Sequence, residues 1–220
     1  MTPKEKAIVN KVAKYIKDRF SKDKSGHDWY HMLRVWQTAK FIGKQEKANM
    51  FIVELGALLH DIADAKFHHG DHSVGPKRAR ALLKKIGLDE SAIEKVVYIV
   101  GNVSFSKTGR KQNMQTLEGQ VVQDADRLDA VGAICVARIF TYGGWQRRPI
   151  FDPRVKPFKN MPIPLAHKGA SSFHHFYEKI LNVKDLMNTK TGKRLAKSRH
   201  DFTELYLKQF LAEWDGKDLK

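Results

Sequence analysis

Apolar residues recur at three- and four-residue intervals along almost the whole chain, the spacing of one buried face of an α-helix. Ile8, Val12, Tyr15, Ile16 and Phe20 mark a first helix. A second is predicted from about Asp28 to Gln45, with Trp29, Met32, Leu33, Trp36, Ala39 and Phe41 facing inward and Asp28 as its N-cap. A third, from about Asn49 to Ala63, carries Phe51, Val53, Leu55, Leu58 and Leu59. Pro76 to Ile86 fits a fourth, stopped by Gly87, a residue suited to a helix C-cap. Ser91 to Val103 makes a fifth. Thr116 to Phe140 reads as one long sixth helix, apolar on several faces and therefore central. Helices resume with Ser171–Met187 and Lys193–Trp214. No alternating strand pattern competes, so the expected fold class is all-α.

Between about Tyr142 and Gly169 the pattern breaks. GGWQRRPIFDPRVKPFKNMPIPLAHKG holds five prolines and no helical period, which marks a long loop of the lid or binding kind. The expected organisation is a helical core over 1–142, a Pro/Gly-rich loop over 143–170, and C-terminal helices over 171–220 packing on the same domain.

Composition narrows the class. With 220 residues, 42% of them hydrophobic, the chain suffices for one ordinary core. No apolar run approaches the ~20 residues of a membrane span. The lysine-studded amphipathic start lacks the apolar centre of a signal peptide. The single cysteine, Cys135, lies in the apolar AVGAICVARIF and has no partner for an intrachain disulfide. A cytoplasmic protein without a membrane partner is expected. The net charge of +16 and pI near 9.8 point to an anionic partner. Half of that excess lies after residue 142, where 16 Lys and Arg face 8 Asp and Glu. No aromatic-interleaved basic stripe accompanies it, so a phosphorylated small molecule is favoured over nucleic acid.

The chemistry-bearing residues sit where apolar pattern meets polar residue. Most of the ten histidines have polar or surface contexts: His68, His69 and His72 belong to the loop HHGDH, and His174, His175 and His200 to later helices. His31 is different, lying beside Met32 and Leu33 near the apolar face of the second helix. His60 and Asp61 follow the run ELGALL. Asp126 belongs to VVQDADRLDAVG, an acidic triplet in an apolar helix, where a carboxylate needs a cation or strong donors. Each residue taken singly also has a structural reading: His31 as a satisfied core histidine, Asp126 as the ion-pair partner of Arg127. Together they make a mixed N/O set drawn from three helices, suited to a divalent metal with open positions. Adjacent helical residues point ~100° apart, so His60 and Asp61 serve one ion only at a helix end or bend. A closed structural zinc site would draw on several cysteines, and the single Cys135 does not offer them.

His31, then His60-Asp61, then Asp126 in DADRLDA resembles the H…HD…D pattern of the HD superfamily of metal-dependent phosphohydrolases. GHDWYHMLRV and SFHHFYEKILNVKDLMNTKTGKRLAKSRHDF resemble the small bacterial HD-domain hydrolases, so the likeness spans nearly the whole chain. The resemblance implies an HD-type helical bundle and one divalent cation on His31, His60, Asp61 and Asp126. Manganese is the first choice, with magnesium, cobalt, nickel, zinc or iron as alternatives. Such an ion polarises a phosphoryl oxygen and acidifies water. Asp64, at i+3 from Asp61, is then the candidate general acid/base, against helix capping as its structural role. His27, one turn before His31, is a candidate for the leaving group or a phosphate. Lys66, Arg127, Arg147 and Arg148 are candidate phosphate contacts, and Tyr142 (with Trp145) a platform for a base. No histidine occurs in GNVSFSKTG, where two-metal HD enzymes are expected to carry extra ones, which leaves the loop histidines His68, His69 and His72 as the ligands open to a second ion. The expected activity is hydrolysis of a (deoxy)nucleoside triphosphate with release of pyrophosphate. The alternatives are a 5′-nucleotidase or other phosphomonoesterase, and an HD module that binds nucleotide or nucleic acid without catalysis. A homodimer is left open.

Overall fold

A computed structural model describes residues 1–21, 28–63, 68–104, 114–155 and 171–219. Among these the chain is all-α, with nine α-helices and one 3₁₀ segment and no strand. It divides into two compact units, Met1–Asp126 with Asn188–Gly192, and Arg127–Met187 with Lys193–Lys220.

The first unit is built on α1 (Pro3–Phe20), α2 (Trp29–Gln45), α3 (Met50–Leu59), α4 (Val74–Ile86) and α5 (Glu90–Asn102). α1 starts in a capping box, Thr2 accepting from Glu5 N–H while Glu5 accepts from Thr2 N–H. Asp28 caps α2, accepting from His31 N–H at 2.8 Å. Gly87 ends α4 at φ +88°, a left-handed cap that suits glycine. α3 is buried on every side from Phe51 to Leu59, the signature of a helix at the centre of a core. It packs against α1, α2 and α5. At Gly56 a Cβ would stand 3.2 Å from Ile99 of α5 and 3.3 Å from Val122, so the missing side chain permits close helix approach. Glu54, buried in α3, accepts the Trp36 indole N–H of α2 at 2.8 Å.

α6 (Leu117–Asp129) contributes residues 117–126 to this unit. Its Asp124, fully buried, receives the return of the chain at 188–192. One carboxylate oxygen accepts from the backbone and side chain of Asn188 (2.8 and 2.9 Å), the other from the backbone and hydroxyl of Thr189 (2.8 Å each). Burial pushes the Asp124 carboxyl above its usual range, and these donors pull it back down. Thr189 in turn accepts from Gly192 N–H at the start of α9 (Lys190–Trp214).

The second unit holds residues 127–129 of α6, α7 (Ala133–Trp145), α8 (His174–Glu178), the 3₁₀ segment Ile180–Leu186 and most of α9. Its core is aromatic: Phe173 stacks on Phe210 (4.5 Å between centroids), with Phe140, Phe151, Phe176 and Tyr206 around them. Cys135 is buried beside this cluster, which pushes its thiol up to about 12.

Four expectations need correction. The single helix Thr116–Phe140 is two, α6 and α7, parted at Gly132, whose φ of +90° no helix tolerates. A Cβ there would stand 3.1 Å from Arg199 Cβ. The span Ser171–Met187 is a five-residue α-helix followed by a 3₁₀ segment. Tyr15 and Phe41, expected inward, are exposed. The predicted third helix also stops early, at Leu59, with His60 as C-cap and a turn over 60–63. Of the segment from Tyr142 to Gly169, residues 142–145 are helical and 156–170 lie outside the described residues.

Candidate metal centre

His31 projects from the first turn of α2, His60 and Asp61 from the turn that ends α3, and Asp126 from α6. These elements bring donor atoms of His31, His60 and Asp126 within 4.8 Å of one another. The two imidazole Nε2 atoms are 3.3 Å apart. Asp61 Oδ2 lies 3.6 Å from each Nε2, and Asp126 Oδ1 lies 3.6 Å from that of His31 and 3.7 Å from that of His60. Both imidazoles are buried, while the carboxylates are partly exposed. The early stop of α3 is what lets His60 and Asp61 face one point, because consecutive positions of a continued helix would diverge.

The second nitrogen of His60 fixes its protonation pattern. Nδ1 lies 2.8 Å from the Ala57 carbonyl oxygen, which only accepts, so Nδ1 carries the hydrogen. Nε2 of a neutral His60 therefore presents a lone pair towards the His31 ring and two carboxylates. A cluster of acceptors at such separations calls for a cation. Ligand atoms ~2.1 Å from a shared first-row ion stand about 3.0–3.4 Å apart when adjacent, close to the distances found here. The donor set thus fits a divalent metal, and the Ala57 carbonyl plays the part that carbonyls take behind metal-bound histidines.

Beside this cluster lies a small pocket of about 20 Å³. His60, Asp61 and Ala63 form one side, His72, Gly75 and Pro76 another, and Val100, Gly101 and Ser104 the third. The sequence offers His72 only as a loop histidine open to a second ion, and does not single out Ser104. His72 falls in a polar loop with no helical period, and only the folding of α4 and α5 against the His60–Asp61 turn brings both to this place.

His27, Asp64 and Lys66 lie outside the described residues. The remaining candidates belong to the second unit. Arg127 is buried and donates to the Leu186 carbonyl. Tyr142 and Trp145 stand 5.6 Å apart between ring centroids on the outer face of α7. Arg148 lies over the Tyr142 ring at 6.0 Å, and Arg147 is exposed in a left-handed turn with φ +56°.

The HD-domain family profile matches residues 28–131, which include all four clustered residues. The Bacillus subtilis protein YpgQ is 31% identical over 98% of this chain and 98% of its own length. A Bacillus thuringiensis HD-superfamily hydrolase has a crystal structure similar to this one, with 38% identity, a TM-score of 0.77, and coverage of 96% of this chain and 98% of that one. A crystal structure of YpgQ in complex with ADP is 30% identical, with a TM-score of 0.71 over 93% of this chain and 96% of that one.

Proposed function

The chain belongs to the HD-domain family, and from that premise we propose that it is a metal-dependent phosphohydrolase acting on nucleotides, releasing pyrophosphate from (deoxy)nucleoside triphosphates. The observation that carries the reading is the convergence of His31, His60 and Asp126 donor atoms within 4.8 Å of one another, with Asp61 Oδ2 3.6 Å from each imidazole Nε2. The complex of YpgQ with ADP supports a nucleotide as ligand. The charge of +16 favours a polyanionic substrate.

In this reading His31, His60, Asp61 and Asp126 hold one divalent ion, with manganese the first candidate. When bound, the ion supplies Lewis-acid polarisation of a phosphoryl oxygen and acidification of water. The chain's own residues do the rest. The Ala57 carbonyl holds His60 in one tautomer, so Nε2 is always the donating atom. Asp64 takes the proton of the attacking water and His27 attends the leaving group. Lys66 is assigned to phosphate oxygens, while Arg127, buried and donating to the Leu186 carbonyl, is left to the packing of the second unit.

The test measures phosphate and pyrophosphate release from nucleoside mono-, di- and triphosphates with manganese, magnesium, cobalt, nickel and zinc. Metal-dependent turnover is expected, with pyrophosphate and a monophosphate as products. Loss of a positioned acid/base is worth roughly 10²–10⁴ in rate, so Asp64→Ala should fall in that range and Asp61→Ala at least as far. Orthophosphate released from monophosphates alone would make the protein a nucleotidase. No turnover by metal-loaded protein would leave a nucleotide-binding module.

A further inference from the structure

The pocket beside the His60–Asp61 pair has room for a water molecule. A polar cavity needs roughly 10–15 Å³ of this kind of volume to hold a water and two to four polar partners to keep it. This one offers about 20 Å³, and Asp61, His72 and Ser104 are among the polar residues that line it. Its remaining wall is held close by glycines. A Cβ at Gly75 would stand 3.3 Å from the Ala63 oxygen, and one at Gly101 would stand 3.3 Å from Pro76 Cγ. The start of α4 is therefore pressed both against the turn that carries Asp61 and against the end of α5, and packing keeps the cavity small.

We propose that His72, with Ser104, seats the water that attacks phosphorus. This rests on the hydrolase reading above and adds to it the residue that orients the nucleophile. A neutral imidazole has one N–H to give, and the water oxygen accepts it while one hydrogen points to the Ser104 hydroxyl oxygen and the other is left for the general base. One oxygen lone pair is left facing out of the pocket. The water oxygen then bonds to phosphorus as the P–O bond to the leaving group breaks. Its proton passes to Asp64, and the leaving group departs with the bonding pair. His72 itself moves no proton; it is a positioning residue, and its removal lowers the rate at saturation without loosening substrate or ion.

The experiment compares full-length wild type, His72→Ala, His72→Asn, Ser104→Ala and the loop control His68→Ala. It records kcat and KM for the best triphosphate, manganese affinity by calorimetry, and Tm. Misplacing a reacting group costs on the order of 10²-fold, so His72→Ala should lose about 10–100-fold in kcat, with KM and manganese Kd unchanged within about twofold. His72→Asn, which keeps a donor, should recover a large part of that loss. Ser104→Ala should show a smaller loss of the same kind, and His68→Ala should match wild type. A His72→Ala enzyme with wild-type kcat overturns the proposal. So does a loss that vanishes at saturating manganese, because His72 would then act on the ion. Wild-type protein that binds manganese but hydrolyses no nucleotide overturns the hydrolase reading, and the role of His72 with it.

Discussion

At His60 a single backbone carbonyl decides what the side chain offers. With Nδ1–H committed to Ala57, a neutral imidazole presents its lone pair at Nε2, 3.3 Å from His31 and within 3.7 Å of two carboxylates. Without a cation that arrangement sets like against like. The cluster is therefore a place where stability is given up for binding, as functional sites commonly are. Asp126→Asn tests this. Removing one negative charge should raise the Tm of metal-free protein at pH 8, while abolishing the upward shift that manganese causes in wild type. Calorimetry in chelator and in manganese reads both quantities. A metal-free Tm below that of wild type would mean that Asp126 is a structural partner of the imidazoles rather than half of a cation site.

At the scale of elements, α6 ties two functions to one helix. Asp126 faces the candidate metal centre, while Asp124, two residues earlier, holds the Asn188–Thr189 turn through four hydrogen bonds. Asp124→Ala would leave buried donors without an acceptor, a cost of about 2–4 kcal/mol in all. The urea midpoint should fall accordingly with no change in slope, and Asp124→Asn, which keeps one acceptor oxygen, should fall less. A midpoint equal to wild type would show that the 188–192 segment is held by other contacts, such as Thr191 N–H to Glu46. This helix also shows what the sequence could and could not tell. Period and caps gave α1 to α5 to within a few residues, because Asp28 and Gly87 act locally. The order of His31, His60-Asp61 and Asp126 along the chain points to one cluster. The break at Gly132 was missed because one glycine in an apolar run reads as tolerated, and its left-handed backbone shows only in the folded chain. The place of His72 was missed because it comes from α4 and α5 closing on another turn, which no local period encodes. The role of Asp124 was hidden for the same reason, since its partners lie more than sixty residues away.

At the scale of the whole molecule, the chain passes between its two units at 126/127, 187/188 and 192/193, and the first and last of these crossings fall inside α6 and α9. All four candidate metal ligands belong to the first unit, and Asp126 is its last residue before the first crossing. Binding to the folded state alone stabilises by about 2.7 kcal/mol at 100 times Kd, which for a chain of this size is a rise of about 5–10 °C in Tm. Chelator should remove that rise in wild type, and Asp61→Ala should not show it. The second unit carries its own reporter. Cys135 is buried and its thiol is pushed up to about 12, so at pH 8 almost none of it is thiolate and alkylation requires the second unit to open. Opening that unit unwinds residues 127–129 of α6, directly after Asp126 and within one helical turn of it. An ion that fixes Asp126 therefore opposes the unwinding, and manganese should slow Cys135 alkylation as well as raise Tm. If manganese raises Tm but leaves the alkylation rate untouched, the helix frays at the crossing without disturbing the metal site, and the two units open independently.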